Sequence, residues 1–544
     1  MATSALAAAT GEPTPGDASP GVTLAAYYFP NYHPGDSRNR VAKGEGWSEW
    51  ELVKEARPRF PGHQQPRVPL WGYEDESDPR AMERKIQAAA DHGIDAFIFD
   101  WYYYDDGPFL EKAIDEGYLG AENNDRVKFA LMWANHDWLE IHPYKKDTPY
   151  KVLYPGRTSQ AGFRQMTRVA IHQYFSQPSY WRIDGKPYFS IYEINTLMES
   201  FGSVEATRNA LDQFREDAKQ AGLPGLHLNA VIWGTPVLPT EKTPVDPAKI
   251  VNELGFDSVT SYVWIHHVPL NDRETDFNWV KDQYMTYWER AATTFDVPYY
   301  PNLSVGWDSS PRAFQEDEFG NTGYPFTNLI VNNPPERFGA ALNEMLAKAR
   351  TLSTAEPIIT INCWNEWTEG SYLEPDTTHG LGYLEAIRNQ FSPALTNTVE
   401  LPAPGAIHPF DLQCEHLADP VGIDAAQPRL SWKLAGTGRD QSQTAFQIVV
   451  ASSPALLSPE RADLWDSGVQ KSDRNRLIPY SGAPLRTPGQ TCFWRVRVWD
   501  DLHRASDWSE PGEWTMAAVG SEPWSASWIL APDDRPLLKG PEEF

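Results

Sequence analysis

Short apolar runs recur along the first 390 residues: LAAYYFP (24–30), DAFIFDWY (95–102), KFALMWAN (128–135), KPYFSIY (186–192), HLNAVIW (227–233), DSVTSY (257–262), YYPNLSVGW (299–307) and PIITINCWNEW (357–367). Each is too short for a typical helix and rich in β-branched or aromatic residues, which predicts a strand. Between several of them the period lengthens to that of a helix. RAMERKIQAAADHG (80–93) ends on Gly93, a good residue for the position after a helix. Segments 159–176, 204–221, 274–295 and 336–352 read the same way. Eight strands alternating with helices predict a (β/α)8 TIM barrel. An open doubly wound sheet is the runner-up, but no GxGxxG loop follows the first strand.

After about residue 395 the period shortens to two. PRLSWKL (428–434), TAFQIVVAS (444–452), LWDSG (464–468) and TCFWRVRVWD (491–500) alternate apolar and polar positions with turns between them. This predicts a fibronectin-III/Ig-like antiparallel β-sandwich, read as accessory. The expected organisation is a disordered Ala/Pro/Gly/Thr-rich segment over 1–21, a barrel over 22–395, a Pro-rich linker over 396–410, the sandwich over 411–519 and a tail over 520–544. Residues 1–21 lack the basic start of a signal peptide, and are either what remains of an export segment or a cytoplasmic start. A secreted or periplasmic location is favoured over a cytoplasmic one.

Charge narrows the partners. A net charge of −27 argues against nucleic acid and against anionic membrane surfaces. No apolar run approaches the roughly 20 residues of a membrane helix. Cys363, Cys414 and Cys492 form neither a disulfide framework nor zinc spacing. The aromatic share of 13% supplies flat amphipathic rings that suit sugar faces as well as cores.

The candidate chemistry lies in NCWNEWTEGSYLEPD (362–376), where Glu366 and Glu369 stand three apart among Asn365, Trp364 and Trp367. Glycoside hydrolysis needs two groups flanking the scissile bond. In a continued strand residues three apart point to opposite faces; in a turn they can face one cleft. Close negative neighbours drive their pKa values apart, as an acid/base pair requires. The alternative is that these acids cap a helix or pair with a surface arginine. A metal site would draw on His33, His63, His136, His266 or His267, but no HExxH spacing is present, and no GxSxG elbow marks a serine nucleophile. No cofactor is expected. Barrel active sites gather where strands end. The strand ends here add Asp100, Trp101, Trp133, Asn135, Tyr192, Tyr262, Trp307, Asn365 and Trp367 as candidate substrate contacts.

AAYYFPNYHP (25–34), GWSEWELVKEARPRFPGHQQPRVPL (46–70), HGIDAFIFDWYYYDDG (92–107), LMWANHDW (131–138), GFDSVTSY (255–262) and NCWNEWTEGSYLEPD resemble the WbsX-type domain, a glycoside hydrolase family 99-like group formerly classed with the glycosyltransferases. The likeness runs over about residues 22–392. Family 99 comprises retaining endo-α-mannosidases and endo-α-mannanases on a (β/α)8 barrel. The resemblance implies that Glu366 deprotonates the sugar 2-hydroxyl, that a 1,2-anhydro sugar forms, and that Glu369 is the general acid/base. No metal is implied, and the sugar is an α-mannoside or α-L-rhamnoside. Tyr28 and Tyr262 match subsite-lining tyrosines, and Trp133 and Asn135 belong to a WAN motif that would face the sugar. The first half departs from family 99 at GWSEW and RPRFPGHQQPR. There Glu49 either touches substrate or pairs with Arg57 or Arg59.

PVGIDAAQPRLSWKL (420–434), QTAFQIVVAS (443–452), CFWRVRVWD (492–500) and PWSASWI (523–529) resemble the N-terminal β-sandwich of family 78 α-L-rhamnosidases. This implies a rhamnosidase catalytic domain C-terminal to this chain as a candidate partner, and favours a rhamnose-containing glycan as substrate. Two other functions stay open. One is a polysaccharide-assembly glycosyltransferase, for which Asp105-Asp106 is a weak metal motif. The other is a non-catalytic carbohydrate-binding protein, which would keep the aromatic rim without depending on both acids.

Overall fold

The computed structural model describes residues 21–351, 357–391, 407–436, 442–459, 461–485, 487–500 and 504–517. Residues 1–20 of the expected N-terminal segment and the tail expected over 520–544 lie outside the described residues. So does the expected linker as far as residue 406; its last residues instead open a strand, Ile407–Cys414. The chain forms two compact units that divide between Pro393 and Ala394.

The first unit is a closed barrel. Its strands are β1 (Thr23–Tyr28), β2 (Ala96–Tyr104), β3 (Lys128–Trp133), β4 (Lys186–Ile191), β5 (His227–Val231), β6 (Ser258–Thr260), β7 in two halves (Tyr299–Tyr300 and Asn302–Ser304) and β8 (Ile358–Asn362). All pair in parallel with their neighbours. Ala25 lies opposite Ala96, and Ala96 in turn lies opposite Lys128. The sheet closes because β8 pairs with β1, Thr23 opposite Ile358, and also with the second half of β7, Asn302 opposite Thr360. The first half of β7 pairs with β6, Val259 opposite Tyr299. Pro301 lies between the halves, where one edge of the strand hands over to the other. Parallel strands covered by helices are buried on both faces, and all nine residues of β2 are buried.

The helices follow the local signals. α1 (Pro79–Asp91) begins with Asp78, whose side chain accepts from the Arg80 amide, and with proline in its first turn. α2 (Gln160–Val169) runs on into a π-helical turn, Ala170–Tyr174. α3 (Val204–Gln220) is capped by Ser203, and α4 (Pro247–Leu254) follows β5. α5 (Phe277–Thr294) is shorter than its sequence pattern. Glu274–Asp276 forms a small strand against Leu329–Val331 instead. α6 (Pro335–Ala349) and α7 (Gly382–Phe391) complete the outer ring. Among the described residues no helix is long and apolar enough to cross a membrane.

The second unit is a two-sheet sandwich. Ile407–Cys414, Arg429–Gly436 and Ile478–Pro479 make one antiparallel sheet. Ala445–Ala451 and Thr491–Trp499 anchor the other, with Gly512–Met516 beside them. Burial alternates along Thr491–Trp499, so Trp494, Val496 and Val498 join Trp432, Phe446 and Trp514 in the core. One pairing departs from the antiparallel expectation: Val421–Ile423 runs parallel to Gly512–Met516.

Gly117 marks a close approach in the barrel. A Cβ there would lie 2.1 Å from the backbone oxygen of Glu76. Gly117→Ala is expected to destabilise the barrel by about 1–3 kcal/mol, the range for overpacking. A urea denaturation midpoint unchanged from wild type would contradict that contact.

Candidate active site

Side chains alternate along a strand, and the phase decides which ones reach the barrel mouth. On β2, Asp100 and Tyr102 line the pocket. Trp101 turns the other way and packs on Tyr174 at 5.6 Å and Phe189 at 6.4 Å between ring centres. On β3, Met132 lines the pocket, while Trp133 packs on Phe163 and donates its indole N–H to the Tyr103 carbonyl. On β1, Tyr27 meets Tyr262 at 4.8 Å, while Tyr28 packs on Phe97 and Phe99 and donates its hydroxyl to Glu76. Tyr28, Trp101 and Trp133 therefore stand outside the pocket, contrary to the expectation for them as substrate contacts. Asn135 also faces away. Its amide bridges the backbone N–H and C=O of Glu193.

The loop after β8 is held from beneath by buried charge. The Lys85 ammonium, on α1, lies 2.6 Å from Glu76 and 2.5 Å from Glu374, and its side chain is 1% exposed. Glu374 accepts the indole N–H groups of Trp364 and Trp367, at 2.9 and 2.7 Å. Glu76 accepts the Asn365 amide at 2.8 Å, and Asn365 also clamps both backbone groups of Phe29. Asn365 and Trp367 thus position the loop and do not line the pocket, a second correction. Lys85 was missed by sequence reasoning. Its signal is a lysine on the buried face of the helix with Ala81, Met82, Ile86 and Ala89.

With those residues engaged by Glu76 and Glu374, Glu366 and Glu369 face the cleft. A single 3-10 turn, Trp367–Glu369, puts the two acids on one side. It ends at Gly370 with φ 65°, where a Cβ would meet the Asp308 Cβ at 2.8 Å. Both acids share a guanidinium. Arg312, in the turn after β7, donates from Nη1 to Glu369 at 2.6 Å, from Nη2 to Glu366 at 3.2 Å and from Nε to Glu49 at 2.7 Å. Tyr324 donates to the same Glu369 oxygen at 2.8 Å. Glu49 also accepts from Asn31 and Thr368, both at 2.6 Å. Glu49 lies behind the pocket and pairs with neither Arg57, whose partner is Glu316, nor Arg59, which donates to the Phe314 and Asp317 carbonyls. Arg312 and Tyr324 carry no local signal, since their partners are distant in the sequence.

Burial dominates the electrostatics. It raises the Glu366 carboxyl well above the usual range, and although Arg312 pulls it down, Glu369 and Glu49 add to the rise. Glu369 is also raised by burial, against the opposing pull of Arg312 and Tyr324. Burial works the same way on Glu49, but Arg312, His142 and Thr368 outweigh it and hold that carboxyl low. Asp100 is pushed well up by burial. Burial brings His136 down to about 4, and His142 and His266 to about 3, so all three are neutral at pH 7.

The pocket opens to solvent at the barrel mouth and takes in about 660 Å³ of non-atom space, solvent at its opening included. Of the expected residues, Glu366, Glu369, Asp100, Tyr192, Tyr262 and Trp307 line it. Asp100 accepts from the Tyr262 hydroxyl at 2.8 Å through Oδ2, and its buried Oδ1 has no hydrogen-bond partner. The Trp307 indole is engaged by Thr327. Among the described residues no group of three or more His, Cys, Asp or Glu side chains is arranged to hold a metal ion.

Residues 24–387 match the family model described as Glycosyltransferase WbsX. Residues 409–520 match the Rha78A-like, N-terminal immunoglobulin domain. An uncharacterized protein WxcX of Xanthomonas campestris pv. campestris is 26% identical over 397 residues, which are 71% of this chain and 52% of that protein. An alpha-L-rhamnosidase of Streptomyces avermitilis is 47% identical over 127 residues, 23% of this chain and 12% of that enzyme. The chain thus spans about half the length of the first relative and about an eighth of the second. A solved GH99 endo-alpha-mannosidase from Bacteroides thetaiotaomicron is 14% identical, over 68% of this chain and 95% of that one, with a TM-score of 0.39.

Lys85→Met leaves Glu76 and Glu374 buried without their cation, and is expected to cost about 3–5 kcal/mol in urea denaturation. A loss below about 1 kcal/mol, the worth of a surface pair, would contradict the buried network. Glu193 and Glu241 are pushed up by burial to about 7 each. Between their unfolded value of about 4.3 and that figure the native state binds more protons. Their contribution to stability is full at low pH and is lost as pH rises through 7. Glu241→Gln is expected to flatten the fall in urea midpoint between about pH 5 and 8; a curve parallel to wild type would exclude it.

Proposed function

Because the chain belongs to the WbsX family, we propose that its barrel is a retaining glycoside hydrolase acting on an α-linked, mannose-configured sugar. The observation that carries this reading is the pair Glu366 and Glu369, three residues apart, facing one buried pocket across a shared guanidinium. Two carboxyl groups facing one cleft are what glycoside cleavage requires. Trp307, Tyr192 and Tyr262 line the cavity with rings, and the unpartnered Asp100 Oδ1 accepts a sugar hydroxyl.

The reaction runs in two displacements. Glu366 takes the proton of the 2-hydroxyl as that oxygen attacks C1. The bond from C1 to the leaving oxygen breaks, and Glu369 gives that oxygen a proton. Water then opens the 1,2-anhydro sugar at C1, losing its proton to Glu369, while Glu366 returns a proton to O2. Two inversions give net retention. Arg312 keeps both acids oriented and lets charge move between them in a site that burial makes sensitive to it. The hydrogen-bond donors favour the charged form at Glu369, which takes Arg312 at 2.6 Å and Tyr324 at 2.8 Å, over Glu366, which takes Arg312 at 3.2 Å. The mechanism needs the opposite distribution, so a proton must pass to Glu369 as the substrate 2-hydroxyl comes against Glu366.

Transfer from a nucleotide sugar fits the site less well. A diphosphate would meet Asp100, Glu366 and Glu369, while Arg312, among the described residues the one arginine or lysine lining the pocket, is already shared by three carboxylates. The rhamnosidase-like sandwich favours a rhamnose-containing glycan, which is an argument from neighbourhood and not from site chemistry.

Incubation with α-mannans and rhamnose-rich polysaccharides is expected to release sugars whose first-formed anomer, read by NMR, retains configuration. Both Glu366→Gln and Glu369→Gln should abolish release. On an aryl glycoside with a leaving group that needs no protonation, Glu369→Gln is expected to regain activity and Glu366→Gln is not. The reverse pattern would exchange their roles. Binding without release from any glycan would move the barrel to the class of binding proteins.

A further inference from the structure

The pocket is divided by chemistry. The ends of β2, β7 and β8 bring Asp100, Arg312, Glu366 and Glu369 to one side. The strands and loops from β3 to β6 supply the other, with an apolar patch of Met132, Ile141, Val237, Leu238 and Val263 beside the single carboxylate of Asp137. The tyrosine hydroxyls on that wall are already engaged: Tyr192 donates to Glu241 at 2.6 Å and Tyr262 to Asp100 at 2.8 Å. Its histidines, His136, His142 and His266, are the neutral ones described above. The Val237 and Leu238 backbone amides both donate to the second oxygen of Glu241, at 2.7 and 2.8 Å. The apolar pair is therefore fixed in place and not carried on a free loop.

Ring geometry says which part of a sugar meets this wall. In a pyranose, C5 lies across the ring from C2. With the 2-hydroxyl at Glu366, the substituent on C5 points away from the acids. Against Val237 and Leu238 a hydroxymethyl group would be stripped of water and meet apolar side chains; a methyl group would bury apolar surface without that loss. We propose that the pocket selects a 6-deoxyhexose, with its C6 methyl against Val237 and Leu238, over the parent hexose. This rests on the reading of the pocket as a sugar site with its 2-hydroxyl at Glu366.

The test compares matched pairs on the intact chain: methyl α-L-rhamnoside with methyl α-L-mannoside, and the two D-sugars likewise. In saturation-transfer NMR the C6 methyl is expected to receive the strongest saturation. The deoxy sugar of the accepted pair should bind about 10- to 100-fold more tightly, the range open to an apolar pocket judging one added hydroxyl. Leu238→Asn, which keeps the backbone amide bonded to Glu241, is expected to shrink that ratio while circular dichroism stays unchanged. Equal affinities, saturation centred away from the methyl, or no binding of any of the four overturns the proposal. Hydrolysis of matched aryl glycosides is measured alongside. Methyl-selective binding without hydrolysis strikes only the hydrolase reading, whereas hydrolysis of both partners at equal rates strikes only this one.

Discussion

Arg312 has 6% of its side chain exposed and carries Glu49, Glu366 and Glu369 on its fork. Removing charged groups from water is costly, and one cation cannot neutralise three carboxylates. The cluster is tolerable because each acid finds further donors: Asn31 and Thr368 for Glu49, Tyr324 for Glu369. Burial still leaves Glu366 and Glu369 eager for a proton, which is the property an acid/base pair needs. The arrangement also ties the segment around residue 49 and the ends of β7 and β8 to a single point. A buried arginine here is at once a structural tie and the source of the electrostatic poise of the site.

A second buried cation supports the first from below. Lys85 pairs with both Glu76 and Glu374, and those acids hold Tyr28, Trp364, Asn365 and Trp367. The indoles and the amide beside the acid pair in sequence are thus engaged in fixing the loop. Glu366 and Glu369, not used in that network, are left to face the pocket. Removing either cation would leave carboxylates buried and unpaired, the costly half of any buried ion pair.

Much of the architecture was legible in the chain. The eight apolar runs correspond to the eight barrel strands, since β-branched and aromatic residues in short stretches between capped helices have few other solutions. The helix Pro79–Asp91 was announced by the helical period over 80–93 and by Gly93 just past its end. The period-two segments after residue 407 form the sandwich. The glutamate pair stood out because two acids three apart at the end of an apolar run need a turn to serve together, and a 3-10 turn is what they have.

What the sequence by itself determined, then, was the order of elements, the two-part organisation and the loop that bears the acids. Only the tertiary structure decided which face of each strand looks into the mouth. Barrel strands are buried on both faces, so an unbroken apolar run such as AFIFDWYYY carries no mark of phase. That is why Trp101 was expected beside Asp100 and why Tyr28 and Trp133 were expected in the pocket. It also decided the long-range pairings. Arg312 meets Glu49 across 263 residues and Glu369 across 57, and no local pattern encodes a contact that chain closure alone creates.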